Sequence, residues 1–283
     1  MQRYKILHRT YYNFSEAVKL GPHYLHLRPR EDYELHVESL KLNITPSANL
    51  LWHRDTEGNS VAIATFDSPT TQLVIESEVF IQQYNENPLN FLVAEYALDY
   101  PFAYPVDDRT LLIPYMAYPE PESWLILTKW LENLWKIGEP IQTYTLLQKL
   151  GSYINQSLTY RIREEPGVQS AKETLDKGTG SCRDFAVLFM QAARCLGLAA
   201  RFVSGYLHSG PSATDYGATH AWAEVYLPGA GWKGFDPTIG DIVGSDHIAV
   251  AVARLPESVP PIAGTFFGTA ESKLDVGVWV SKC

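Results

Sequence analysis

The chain has 283 residues, 46% of them hydrophobic and 19% charged, a composition that predicts a globular protein of one large or two modest domains. Its 23 Lys and Arg against 32 Asp and Glu give a net charge of -9, and the absence of a basic run argues against nucleic acid and anionic membrane as main partners. Three cysteines without CxxC spacing predict neither a disulfide framework nor a metal or cofactor site. With no signal-peptide pattern and no apolar run of membrane-spanning length, the expected location is the cytoplasm.

The first 85 residues predict a β domain. Short apolar alternations recur between turn signals, which is typical of a small sandwich. The alternation changes phase near Ser39, which indicates a bulge, and residues 56–59 form a hairpin-turn pattern. Nothing here carries nucleophile chemistry, so the expected role is structural or substrate-orienting.

Residues 86–177 are expected to connect this β domain to the chemistry-bearing part of the chain. A short helix is predicted at residues 89–98, and the proline-rich, aromatic segment after it favours a packed linker, with a wall of the cleft as the alternative. Apolar periodicity predicts helices over residues 121–137 and 141–156. Residues 163–177 are predicted to be a polar loop over a cleft.

A cysteine begins the most strongly patterned helix of the chain. Apolar residues recur at three- and four-residue steps from Phe185 onward, and Ser181 is a natural N-cap residue. Asp184 fits a capping box, and we interpret it as a cap or loop anchor rather than an acid/base group. Cys182 then lies in the first turn, where unpaired N–H groups and the helix dipole favour a thiolate, although a small buried cysteine is the alternative. Cys195, on the same helix, is expected in the core.

Two paired strands supply the partners of this cysteine. Residues 219–227 alternate like a strand, a turn follows, and residues 232–236 return as a second strand that Pro237 ends. The hairpin brings Asp236 beside the strand of His220, to within a residue or two of register. One imidazole nitrogen can then bond the carboxylate while the other faces the cysteine, the arrangement of a cysteine hydrolase. In isolation, each residue is more often structural: a core histidine, and a turn former before proline.

These motifs resemble those of a known family. Residues 178–207 (GTGSCRDFAVLFMQAARCLGLAARFVSGYL) and 219–238 (THAWAEVYLPGAGWKGFDPT) are similar to the core of the transglutaminase-like superfamily of papain-type cysteine enzymes. Residues 10–30 (TYYNFSEAVKLGPHYLHLRPR) resemble the N-terminal β region of a bacterial subgroup. The chain departs from the subgroup's pattern at residues 251–261, where members often carry a Gly-Arg-Asp-Tyr run.

The resemblance implies an α+β fold in two parts. Residues 1–85 are expected to form an antiparallel, sandwich-like N-terminal domain. Residues 86–283 are expected to hold linker helices and a papain-like transglutaminase core, in which the nucleophile helix packs on an antiparallel sheet. Residue by residue, the family's nucleophile falls on Cys182, its base on His220 and its third member on Asp236.

The chemistry of such a site requires donors for an oxyanion. The backbone N–H of Cys182 is one, and Tyr160 or Gln156 is expected to supply a second. Trp222 shares the strand face of His220 and is expected either to line the cleft or to pack structurally.

The expected function is cysteine-dependent cleavage of a peptide or protein amide, as a peptidase or amidase, through an acyl-thioester. Two alternatives stay open: an acyl transferase that resolves the thioester with an amine, and a non-catalytic peptide-binding module. The segments flanking the site, residues 163–177 and 208–218, are rich in Glu, Gly, Ser, Thr and Lys. Such loops admit water, which favours hydrolysis over transfer.

Overall fold

A computed structural model describes residues 1–117, 121–136, 138–163, 165–208 and 219–283. Most of the segment at 208–218 therefore lies outside the described residues. None of the described helices is long and apolar enough to cross a membrane. The fold is mixed, with an antiparallel N-terminal sheet and a core in which helices pack on a second antiparallel sheet, as the sequence predicts.

The N-terminal sheet is built around one long strand. β1 (Gln2–Leu25) pairs through its first half with β5 (Thr70–Gln83), and β5 pairs in turn with β2 (Leu35–Thr45). The second half of β1 pairs with β4 (Ser60–Thr65), and β4 pairs in turn with β3 (Asn49–Arg54). The register of β2 slips between Val37 and Ser39, so the predicted bulge is confirmed. Residues 56–59 connect β3 to β4, as predicted.

The C-terminal end of the chain returns to this N-terminal sheet. β15 (Ile262–Phe267) and β16 (Ser272–Lys282) both pair antiparallel with β1. From the sequence these residues are expected with the core, within 86–283, because pairing between the two ends of a chain leaves no local signal. The N-terminal sheet is therefore completed by residues far beyond position 85.

The connecting region contains more helix than its prolines suggest. β6 (Asp99–Tyr100) pairs with β7 (Ile141–Gln142), and between them lie α1 (Val106–Met116) and α2 (Pro121–Leu131). The prediction of a helix at residues 89–98 is wrong, since that segment has only a short 3-10 turn. α1 was missed because Pro114 occurs inside it, in its last turn, a position that sequence rules count against a helix.

The core sheet has the strand order β13-β12-β11-β10-β14. These strands are β10 (Ala200–Leu207), β11 (His220–Leu227), β12 (Gly231–Asp236), β13 (Asp241–Ile242) and β14 (His247–Ala253). The remaining elements are α3 (Thr143–Ser157), β8 (Thr159–Tyr160), α4 (Ala171–Lys177), β9 (Thr179–Gly180) and α5 (Cys182–Cys195). The predicted polar loop at 163–177 is therefore wrong in its second half, where Ser170 caps α4 and Gly178 ends it.

Two apolar interfaces hold the core in place. On one face of the sheet, α5 packs through Phe185 and Phe189 against Ala223 and Phe235. Elsewhere, Ile248 of β14 joins a cluster of N-terminal side chains. The core sheet is thus packed against both α5 and the N-terminal sheet.

Candidate active site

The N-terminus of α5 is fixed by a buried carboxylate. Asp184 is fully buried, and its Oδ2 accepts hydrogen bonds from the backbone N–H of Ser181 at 2.8 Å and from its hydroxyl at 2.7 Å. The same oxygen accepts from Arg163 Nε at 2.8 Å, while Oδ1 accepts from the backbone N–H of Gln169 at 2.7 Å. Asp184 is therefore a cap and a loop anchor, as predicted. Cys182 follows as the first residue of the helix, where its N–H has no intrahelical acceptor.

Two glycines allow the approach to this helix. Gly178 has φ of +64°, a left-handed conformation that ends α4. At Gly180, a Cβ atom would lie 2.9 Å from the Cβ of Asp184 and 3.1 Å from the Phe185 ring, so only glycine fits without a shift. Gly180 pairs in parallel with Tyr160, which places that phenol beside the candidate nucleophile. Burial, and then the nearby charges of the thiol and carboxylate groups of the site, raise the pKa of Tyr160.

The register of the hairpin brings the two other candidate residues together. Ala223 faces Phe235, so the position opposite Asp236 is Trp222, and His220 is its diagonal neighbour on the same face. His220 Nε2 lies 2.6 Å from Asp236 Oδ2. The Cys182 thiol is a further neighbour of this imidazole and contributes to the rise of its pKa. The three residues predicted from the sequence therefore lie together at one site.

The electrostatics of this site favour a positive charge on His220 and a negative charge on Asp236. Burial by itself would lower the pKa of His220, but the hydrogen bond with Asp236 and the neighbouring Cys182 thiol outweigh burial and raise that pKa well above its ordinary value. Burial would raise the pKa of Asp236, but its hydrogen bonds with two histidines hold it well below the ordinary value. At neutral pH the histidine is therefore an imidazolium beside a carboxylate.

The second of those histidines was missed from the sequence. His247, the first residue of β14, is buried, and its Nε2 lies 3.0 Å from Asp236 Oδ2. Only a polar residue at the start of an apolar strand marks it in the sequence. Its partner is eleven residues away, across strands that are not adjacent in the sheet. No motif spacing predicts such a contact.

His220, Asp236 and His247 are also the one group of described residues whose ligand atoms lie close enough to hold a metal ion, within 4.8 Å of one another. The two nitrogen–oxygen distances of 2.6 and 3.0 Å are those of hydrogen bonds. A zinc ion would take the place of both hydrogen bonds, with each ligand atom at about 2.0–2.2 Å from the metal. The donor set as arranged fits a proton-linked network better than a metal centre.

A cavity of about 420 Å³ opens at Cys182 and His220. Its wall is largely apolar and includes Tyr160, Phe202 and Val259. Residues 256–261, which lie in the segment where the chain departs from the subgroup's pattern, form one side of it. The size is that of a site for a small ligand or a few residues of a peptide.

The other predicted cleft residues lie elsewhere. Gln156 is exposed near the end of α3 and does not line this cavity, although Tyr160 does. Trp222 is 1% exposed and lines a different cavity of about 310 Å³, which also includes N-terminal residues such as Arg30 and Leu35. Of the two functions weighed for Trp222, structural packing is the one that its position supports.

Two family models match this sequence, one in the N-terminal sheet and one in the core. Residues 4–82 match the bacterial transglutaminase-like N-terminal region, and residues 136–237 match the transglutaminase-like superfamily. An uncharacterized protein of Mycobacterium tuberculosis is 28% identical, covering 98% of this chain and 91% of that protein. An uncharacterized protein of Mycobacterium leprae is 26% identical, covering 100% of this chain and 99% of that protein.

A crystal structure of a candidate cysteine protease from Cytophaga hutchinsonii has the same fold. It superposes with a TM-score of 0.75 at 18% identity, covering 99% of this chain and 90% of that one. The fold and the arrangement of the site define a papain-like architecture. The resemblance to the transglutaminase-like superfamily and to the bacterial N-terminal region is therefore confirmed.

Proposed function

We propose that this protein is a cysteine-dependent amide-bond hydrolase, a peptidase or amidase in which Cys182 is the nucleophile. The observation that carries the proposal is the grouping of the Cys182 thiol with His220 at the mouth of an open cavity, where the imidazole lies 2.6 Å from the Asp236 carboxylate. A thiol at a helix start beside an imidazolium is the arrangement that activates cysteine nucleophiles.

The reaction would run in two halves. The thiolate attacks the amide carbon, and the oxyanion that forms accepts from the backbone N–H of Cys182. Tyr160 is the candidate for the second donor, since its side chain lines the same cavity. The imidazolium of His220 gives its proton to the leaving nitrogen, the C–N bond breaks, and a thioester remains on sulfur. Water, deprotonated by the now neutral imidazole, then adds to the thioester and releases the carboxylate and the thiolate.

Hydrolysis is favoured over transfer to an amine because the described side of the site is open to water. Tyr160 is 46% exposed, and Glu165 on the loop before α4 is exposed as well. An amine acceptor competes with water only where water is excluded, and these residues offer no dry approach. The proposed substrate is therefore a peptide or protein amide, with water as the acceptor.

The test begins with the thiol. After brief iodoacetamide treatment at mildly acidic pH, mass mapping should place the label on Cys182 before Cys195, which packs against the core at the other end of α5. Preferential labelling of Cys195 would overturn the nucleophile assignment. Cys182→Ala should abolish turnover, and Cys195→Ala, the matched control, should retain it.

The acceptor is tested by product analysis. The enzyme is incubated with glutamine- and peptide-amide substrates, with and without a millimolar primary amine. Free carboxylate and ammonia as main products support the hydrolase. If amine adducts dominated, the transferase would replace it, and binding without turnover in every assay would favour the peptide-binding module.

A further inference from the structure

His247 is the second histidine that contacts the carboxylate of Asp236. Its Nδ1 accepts the backbone N–H of Gly244 at 3.2 Å. A neutral imidazole that accepts at one nitrogen carries its proton on the other, so Nε2–H donates to Asp236 Oδ2, 3.0 Å away. Both histidines thus converge on a single oxygen.

This arrangement fixes the rotamer of a fully buried carboxylate. Oδ2 of Asp236 accepts from two imidazoles, and Oδ1 accepts from the backbone N–H of Thr238 at 2.8 Å. Without His247, one donor on Oδ2 would be lost and the carboxylate could turn away from His220. If the carboxylate of Asp236 is not held in one orientation, the imidazole of His220 is not held in one orientation either.

The strand that carries His247 is held in place by the N-terminal region. β14 is the edge strand of the core sheet, and its free edge is satisfied from outside. The backbone N–H of Arg30 donates to the carbonyl of Ala249 at 2.9 Å. The side chain of Asn59 donates to the carbonyl of Val252 at 2.8 Å and accepts from its N–H at 2.9 Å.

A tryptophan of β11 packs against the ring of His247. The Trp222 ring meets the imidazole of His247 edge-on, with ring centroids 5.3 Å apart. It reaches that position by crossing Gly205, where a Cβ atom would lie 2.6 Å from the indole. This explains why Trp222 is buried away from the cavity of the candidate nucleophile.

We infer that His247 is a positioning residue for the reaction, which holds Asp236 in the orientation that His220 requires and through which the N-terminal region supports the site. The inference rests on the proposed function, because it assigns a role within that chemistry. Because His247 does not line the cavity at Cys182, its effect should fall on kcat rather than on KM.

The test is a double-mutant cycle on a peptide amide that the wild-type enzyme turns over. His247→Ala should lower kcat by about tenfold, the effect of one hydrogen bond to a charged group, with KM unchanged. In an Asp236→Ala background, the same change should cost less than about twofold, because the carboxylate that His247 orients is absent. His247→Gln, whose amide nitrogen can donate from nearly the same place, should recover most of the activity.

His208→Gln is the matched control. His208 lies one residue beyond β10 and pairs with Asp246 rather than with the site, so its replacement should leave kcat unchanged. If His247→Ala lowered kcat equally in both backgrounds, or if the Gln variant recovered nothing while remaining folded, the positioning role would be overturned.

A measurement on the wild-type protein keeps the inference testable if the variants do not fold. Nitrogen-15 NMR of the histidine rings should show His247 neutral and protonated at Nε2, and protonation at Nδ1 would contradict the proposal. This readout does not depend on turnover. A protein with an unreactive Cys182 and the expected His247 tautomer would refute the proposed function alone.

Discussion

Asp236→Asn is the substitution that tests the electrostatics of the site most directly. It removes a negative charge 2.6 Å from His220 and leaves the side chain nearly unchanged in size. Removing an opposite charge at this range lowers the pKa of a histidine by about 1–3 units. The pKa of His220 is raised in the native protein chiefly by this partner, so the variant's imidazole should lose its proton at lower pH.

The structure also predicts a cost in stability. One oxygen of Asp236 accepts from two imidazoles and the other accepts the backbone N–H of Thr238. The Asn amide can present its oxygen to only one of these sides, and its NH₂ group must then face a donor on the other. One hydrogen bond is thus replaced by an unsatisfied or repulsive contact, which costs about 1–3 kcal/mol of unfolding free energy.

The assay is the pH profile of kcat/KM on a peptide p-nitroanilide, whose leaving nitrogen needs a proton. The alkaline limb, which reports loss of the imidazolium, should move down by about 1–3 pH units in Asp236→Asn. The loss of kcat can reach about 10⁴-fold, as in triads that lose their third member. A p-nitrophenyl ester, whose leaving group needs no proton, should lose much less.

Asp241→Asn is the matched control for this experiment. Asp241 faces Asp236 in register on the neighbouring strand β13 and is exposed, so its replacement should leave the alkaline limb in place. If the folded Asp236→Asn variant kept the wild-type alkaline limb and full turnover, Asp236 would be a turn residue, and the pairing with His220 would have no catalytic meaning.

Three further changes should give separable effects. Gly180→Ala forces a Cβ atom against Phe185, which should slow iodoacetamide labelling of Cys182. It should also lower the unfolding free energy by about 1–3 kcal/mol in a denaturant titration. Labelling at the wild-type rate would contradict the close approach. Glu257 lines the cavity without an ion-pair partner among the described residues, so Glu257→Gln should raise KM for amides with a cationic side chain and leave that for neutral ones unchanged. Asn59→Ala should cost about 2–6 kcal/mol in the same titration, because it leaves two buried groups of one β14 residue unpaired, and a loss below 1 kcal/mol would argue against the anchor.

The parts of this protein that could be predicted from sequence are those encoded locally. The bulge at Ser39 appears as a change of alternation within one strand, and the capping role of Asp184 appears within one helical turn. The grouping of Cys182, His220 and Asp236 could be predicted for a related reason. A helix start and one short hairpin specify nearly all of its geometry.

What could not be predicted depends on pairings between distant parts of the chain. β16 lies beside β1, and its Val278 joins the apolar cluster of the N-terminal sheet, but an alternating strand of this kind fits either sheet equally well from its sequence. His247 contacts Asp236 only because β14 occupies the sheet edge beyond β10, a strand order that no local pattern fixes. The helix α1 was hidden for a different reason, since tertiary packing of residues such as Leu112 outweighs the penalty of Pro114.

The charges that would serve catalysis also stabilise the fold, and their signs limit the pH range in which both hold. The pKa of Asp236 is depressed on folding, so its contribution is present above its unfolded pKa and is lost as the pH falls toward the folded value. The pKa of His220 is raised on folding, so its contribution is complete below its unfolded pKa and is lost as the pH rises through the folded value. Near neutral pH both groups are charged, and a carboxylate held by two imidazoles then both stabilises the native state and keeps the proton that the leaving nitrogen requires.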